Sequence, residues 1–420
     1  MIEPTDADGI GFLGSFGEGA MRTQSRKEMR RVKPLVVFAV VAGIAFSAFA
    51  TLSAAQAPPV VHEDPAGDES ANPGPLAGDL SPAMNPRAIE KAMRKVADWQ
   101  VKTSEGRFST DWTYAALYDG LLAASRVTGD TRYHDAVQYF AERTEWKLGP
   151  RFGHADDEAV AQSYLELYFE HPAPERIATI REEADKLLVR PGNASPFEPE
   201  KDLWWWCDAL FMAPPALARL TKATGDRRYL DYLDRQWWLT SSKLYDPAAH
   251  LYSRDATFLD SHEKNGKKLF WSRGNGWVMG GLARVLAYMP ADYPSRGKYV
   301  AQFKEMARAM VAIQSEDGLW RSGLLDSGAY PRPEVSGSAF FTFALAWGLN
   351  EGLLDRKIYK PVVERAWKGL LGHVYADGRL GSIQRIGGAP GEVIPGGSYV
   401  YGVGAFLLAG SEVDRLSRGR

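Results

Sequence analysis

From about Asn85 onward, apolar residues recur three and four positions apart between short polar turns, and this spacing predicts about twelve helices before Arg420. In the first half they cover residues 88–100, 111–127, 130–146, 156–171, 174–189 and 203–224. The second half continues with 227–245, 275–289, 296–314, 336–354, 359–375 and 398–416. Alternating, strand-like runs are scarce. The stretch VTGDTRYHDAVQYF, from Val127, returns as ATGDRRYLDYLDRQW, from Ala223. In both copies a glycine closes one helix and an aspartate caps the next, the chemistry of a tight helical hairpin. Repeated hairpins bury little alone and need neighbours. Twelve helices arranged in this way make either an open solenoid or a closed double ring.

The loops favour the ring. Residues 270–277, 316–338 and 376–399 are long, rich in glycine, and loaded with aromatic, arginine and carboxylate side chains. Long loops with specific chemistry suggest a pocket at one end of a closed scaffold. The expectation is an all-α fold, six inner and six outer helices in one catalytic domain over residues 85–420.

Ahead of the helices, RKEMRRVK (residues 26–33) precedes a long apolar run ending near Ala55-Gln56-Ala57, followed by a polar stretch. Basic, apolar, then small is the order of a secretory signal. Residues 1–57 are read as a signal peptide or N-terminal extension, and 58–84 as a Pro/Gly/acidic linker. Export to the periplasm or the exterior is expected, with an uncleaved membrane anchor as the alternative. No cysteine follows the apolar run, which excludes a lipid-anchored lipoprotein.

Composition narrows the function classes. The chain of 420 residues is 45% hydrophobic and 12% aromatic, ample for a large core. Its 50 basic and 52 acidic side chains leave a formal charge of −2, and no long basic run in the body offers a nucleic-acid surface. One cysteine, Cys207, excludes an intrachain disulfide framework and a Cys-cluster zinc site. His154, His262 and His373 lack metal-ligand spacing, so neither metal nor cofactor is expected. FWSRGNGW lacks the preceding strand and glycine spacing of a phosphate-binding loop, and no Gly-x-Ser-x-Gly elbow is present. Thirteen tryptophans alongside arginines and carboxylates suggest a carbohydrate partner, because indoles pack on the C–H faces of sugars.

Three aspartates in two stretches stand out. In DLWWWCDALF, Asp208 follows three tryptophans and the cysteine. It is either a satisfied structural acid in a helical first turn or a carboxyl whose pKa burial raises for proton transfer. Trp204, Trp205 and Trp206 cannot all point one way on a helix, so at least one should reach beyond the core. Asp156 and Asp157, in GHADDEAVAQ, sit at a helix start where one can cap and the other face a pocket. Arg273 offers a planar fork suited to a carboxylate, and Gly274 and Gly276 let backbone come close to a ligand.

WCDALFMAPP, FWSRGNGW, DGLWRSGLLD, PEVSGSAFFTFALAWGLN and SYVYGVGAFLLAGSEV, in this order, resemble the unsaturated uronyl hydrolases of glycoside hydrolase families 88 and 105. The resemblance runs from about residue 88 to 415. It implies an (α/α)6 barrel and removal of a terminal 4,5-unsaturated uronic acid from lyase-generated oligosaccharides. An aspartate would protonate C4 of the enol ether and water would add at C5, giving a hemiketal that opens and releases the next sugar. By position Asp208 is the catalytic choice, and Asp156 or Asp157 the second pocket aspartate. Trp271 with Arg273 resembles the wall that holds the uronate. The substrate-contacting candidates are Arg273, Trp271, Trp277, Arg254, Trp205 and His154. Where many rhamnogalacturonyl-specific members carry a histidine, LYSRDATF places Arg254, which favours a more anionic or differently linked partner. The competing readings are an exported sugar-binding protein without catalysis and a sugar epimerase on the same barrel.

Overall fold

The computed structural model describes residues 66–189 and 203–419. The segment read as a signal or extension and the first residues of the linker lie outside the described residues. Helices alternate strictly between an outer and an inner layer. Outer α1 (Pro86–Thr103) leads to inner α2 (Trp112–Thr128), and outer α3 (Thr131–Arg143) to inner α4 (Ala155–Glu158) and α5 (Ala161–Glu170). Outer α6 (Glu175–Leu188) leads to inner α7 (Ala209–Met212) and α8 (Pro214–Thr224), and outer α9 (Arg227–Leu244) to inner α10 (Ser272–Leu286). Outer α11 (Arg296–Ile313), inner α12 (Val335–Asn350), outer α13 (Arg356–Leu371) and inner α14 (Val400–Ser417) complete the chain. The inner helices pack in sequence, α2 on α5, α5 on α8, α8 on α10, α10 on α12, α12 on α14, and α14 back on α2. The ring is closed, an (α/α)6 barrel.

Patterning explains which layer each helix joins. Outer α1 buries Ile89, Ala92, Met93, Val96 and Ala97 on one face and leaves its polar residues to solvent. Inner α12, VSGSAFFTFALAWGLN, is buried on every side up to Leu349. Close approach within the ring depends on small residues. A Cβ on Gly404 of α14 would stand 2.1 Å from the Ala116 carbonyl oxygen of α2, and one on Gly120 would stand 2.6 Å from that of Gly404.

The repeated Thr-Gly-Asp turns form as expected. Gly129 and Gly225 adopt φ of 67° and 77°, and Asp130 and Asp226 accept from the N–H of Arg132 and Arg228 at 3.2 and 3.0 Å. Two long helices predicted from the pattern are shorter. The segment 156–171 is split between α4 and α5. The segment 203–224 becomes helical only at Ala209, because the Cys207 N–H is given to the Arg254 carbonyl, 2.8 Å, and Trp206 bridges to Asp255. Pro214, without an N–H, then separates α7 from α8.

All inner helices run the same way. At one end Trp112, opening α2, stacks on Tyr401 of α14 at 5.4 Å and meets Trp277 of α10 edge-on at 6.0 Å. At the other end Arg219 of α8 pairs with Glu166 of α5 at 2.9 Å, and Arg415 of α14 with Glu351, just past α12, at 2.7 Å. Among the described residues, four short strands form two antiparallel pairs: β1 (Gly67–Glu69), β2 (Tyr245–Asp246), β3 (Leu251–Tyr252) and β4 (Gly397–Tyr399), joined as β1 with β4 and β2 with β3. Residues 67–69, within the Pro/Gly/acidic stretch, are thus paired to the approach of α14, and Arg379 grips Asp68 beside them. No helix among the described residues is long and apolar enough to cross a membrane.

Candidate active site

The first turns of α4 and α10 and the segments before α7 and α10 bring Asp156, Arg273, Asp208 and Arg254 to the N-terminal end of the ring. Asp208 precedes α7 and is only 9% exposed. Its side chain makes no capping bond, so capping does not account for its position. The Cys207 thiol donates to Oδ1 at 3.2 Å. Burial, the largest influence, pushes the Asp208 carboxyl above its ordinary range, against the pull of Arg254, the thiol and Arg273.

Asp156 and Asp157, adjacent on α4, have different work. Asp157 turns back on its own loop: Arg151 reaches its Oδ2 through Nε and Nη2, both at 2.6 Å, and the Arg151 N–H donates to Oδ1. Asp156 has no such partner, standing 3.8 Å from both Arg151 and His154. Burial first, and then the Asp208 carboxylate, raise its pKa to about 7. Asp156 is therefore the aspartate that senses Asp208. His154 precedes α4, accepts from the Asp156 N–H through Nδ1 at 3.3 Å, and packs on Trp206 with ring centroids 5.1 Å apart. Burial and then Arg151 push its pKa down, against the pull of Asp157, which favours the neutral ring.

The three tryptophans divide their tasks. Trp204 is buried against Tyr232, Trp206 lies under His154, and Trp205 is half-buried, with the Arg254 guanidinium 5.2 Å from its ring centroid. Arg254 bonds Asp255 through Nη1 at 2.6 Å, while its Nε is buried without a hydrogen-bond partner. Gly388, from the loop before α14, stands beside it, since a Cβ there would lie 3.5 Å from Nε.

Three expected ligand contacts are corrected by the geometry. Arg273 does not offer its fork to a ligand. Nη1 and Nη2 donate to the carbonyls of Gln384 and Arg385 at 2.6 and 2.8 Å, and the guanidinium is sandwiched between Trp271 and Tyr401, 4.4 and 4.9 Å from their centroids. Trp271 is 1% exposed and donates Nε1–H to Gln384 Oε1, beneath the site rather than on its wall. Trp277 is equally buried among Trp112, Phe211, Phe340 and Tyr401. All three are framework for the 384–391 loop and the barrel interior.

Several residues that complete this framework escape sequence reasoning. Gln384 accepts from Trp271 and from the Ser322 hydroxyl, 2.9 Å, and donates to the Ala389 carbonyl. Glu334, fully buried, caps α12 at Ser336 and Gly337 and also accepts from the Gln384 N–H. Asp255 orients Arg254, and its signal was available in its adjacency to that arginine. Among the described residues no group of three or more His, Cys, Asp or Glu side chains could hold a metal ion.

The chain matches the Glycosyl Hydrolase Family 88 model over residues 85–417. It is 41% identical to an unsaturated 3S-rhamnoglycuronyl hydrolase of Formosa agariphila, over 79% of this chain and 92% of that protein. It is 34% identical to a protein of the same name from an Alteromonas species, covering 80% and 89% of the two chains. Among solved structures, a glycosyl hydrolase family 88 protein from Bacteroides vulgatus superimposes with a TM-score of 0.74 at 31% identity, covering 79% of this chain and 99% of that one. A family match across nearly the whole barrel, with relatives of this identity, makes the chain a member of glycosyl hydrolase family 88.

Proposed function

We propose that this glycoside hydrolase removes a terminal 4,5-unsaturated uronic acid from oligosaccharides by hydrating the C4=C5 double bond. The observation that carries the reading is Asp208, a buried carboxyl with raised pKa and no capping duty, beside a second carboxyl that titrates at about 7. A carboxyl held above its ordinary range by burial is suited to give its proton to C4. Water then adds at C5 and returns a proton to the carboxylate. The resulting hemiketal opens, the anomeric C–O bond breaks, and the next sugar leaves. The carboxylate-separation rule of ordinary glycosidases does not govern this route. Arg254, with an unpartnered Nε over the half-buried Trp205 ring, is suited to the uronate carboxylate. Relatives named for rhamnoglycuronyl substrates support a uronyl–rhamnose linkage.

The test is Asp208→Asn. It should leave the fold and substrate binding intact while lowering loss of the double bond, followed by its ultraviolet absorbance, by about 10²–10⁴-fold or more. An Asn variant that keeps wild-type turnover sinks the mechanism, and wild-type protein that binds without consuming the double bond makes it a sugar-binding protein. Residues 1–57 carry an export reading, which N-terminal sequencing of the exported protein decides. An intact N-terminus on wholly cytoplasmic protein would refute it.

A further inference from the structure

Cys207 is the chain's only cysteine, and its side chain is fully buried. Its position is fixed twice. The main-chain N–H is held by the Arg254 carbonyl at 2.8 Å, and the sulfur lies against the first turn of α10, where a Cβ on Gly274 would stand 3.1 Å from Sγ and 3.4 Å from Asp208 Oδ1. The glycine leaves room for a thiol and a carboxyl oxygen side by side. The thiol uses that room to donate to Oδ1 at 3.2 Å.

Resting on the function proposed above, we propose that Cys207 is a positioning residue for the catalytic acid: its thiol occupies Oδ1 of Asp208 and leaves Oδ2 as the oxygen that carries the transferable proton. Oδ1 has lone pairs whether or not Oδ2 is protonated, so the S–H bond persists as the acid gives up and regains its proton. Burial keeps the thiol from ionising, so it remains a donor. A neutral donor also favours the carboxylate form slightly, offsetting part of what burial does. The charged groups facing Asp208 come from separate elements: Arg254 and Asp255 from the segment after β3, Arg273 from α10, and Asp156 from α4. None depends on the sulfur.

The measurement is the pH profile of kcat/KM, which falls as the free enzyme's Asp208 loses its proton. Cys207→Ala removes the donor and should move that alkaline limb upward by about half a pH unit. Cys207→Ser, nearly isosteric with a stronger donor, should return it to the wild-type position or below. A second readout needs no change at position 207. The S–H stretching band belongs to this residue alone, and it should be shifted to low frequency in the wild type and move toward the free-thiol position in Asp208→Ala, which removes the acceptor oxygen. An alkaline limb that stays put in both variants while only the melting temperature falls, or a wild-type band at the free-thiol position, overturns the proposal. Full turnover by Asp208→Asn would instead overturn the function on which it rests.

Discussion

The carboxylate of Asp157 and the guanidinium of Arg151 form a closed pair, two arginine nitrogens 2.6 Å from one oxygen, with the arginine's own N–H on the other. Asp157 thereby holds the loop that delivers its neighbour Asp156. Asp157→Ala should cost about 1.5–3 kcal/mol of stability, the range for a charge-assisted bond with one buried partner. Asp156→Asn should instead cut turnover about 10²-fold with the fold intact. Urea denaturation and initial rates on both variants check the division, and a reversed result would exchange their roles.

Asp156 also predicts a pH-dependent stability. Its pKa rises from 3.8 to about 7 on folding, so the native state binds more protons than the unfolded chain between those values, and stability falls as pH rises through that window. The contribution against folding is complete above pH about 7 and absent below about 4. Asp156→Asn should therefore stabilise the protein above neutrality, on the order of 2–4 kcal/mol, and have no such effect in acid. Thermal melts across pH read this directly, and a stabilisation independent of pH would refute it.

Arg254 and Arg273 should separate in kinetics. Arg254→Gln removes the cation with a free nitrogen over Trp205, and should raise KM about 10–100-fold with a smaller loss in kcat. It should also move the alkaline limb upward, since Arg254 is the foremost of the groups that draw the Asp208 pKa down. Arg273→Lys keeps the charge but cannot hold both the Gln384 and Arg385 carbonyls, and should lose about 1.5–3 kcal/mol of stability. Equal KM effects with no stability loss in Arg273→Lys would return that fork to the substrate.

The helices were legible because apolar residues recur three and four positions apart, and the Thr-Gly-Asp turns announce both cap and stop. What stayed hidden was partner choice across the ring. Nothing in GHADDEAV tells which aspartate Arg151 takes, because α4 turns adjacent residues to different neighbours. Arg273 read as a ligand fork since its acceptors, two main-chain carbonyls more than a hundred positions away, have no side-chain signature. The tryptophan triplet read as helix because its pairing with residues 254 and 255 is a single bridge, too short to leave an alternating pattern.

Gly404 tests the ring itself. Gly404→Ala would place a methyl 2.1 Å from the Ala116 carbonyl, forcing α2 and α14 apart at the seam where the last inner helix meets the first. A destabilisation of about 3 kcal/mol is expected from such overpacking. Substitution at Gly297, with open space around it, is the matched control and should be nearly neutral.

The common direction of the inner helices has an electrostatic consequence. Each helix start carries roughly half a positive elementary charge, and their partial charges are gathered around one mouth. At the opposite rim Arg126 and Arg219 pair with Glu166 and Arg415 with Glu351, so the helix starts at the mouth give the ring its positive end even though the chain is nearly neutral. An approaching uronate meets a focused field instead of a net charge, and added salt should slow its capture while leaving the chemical step unchanged.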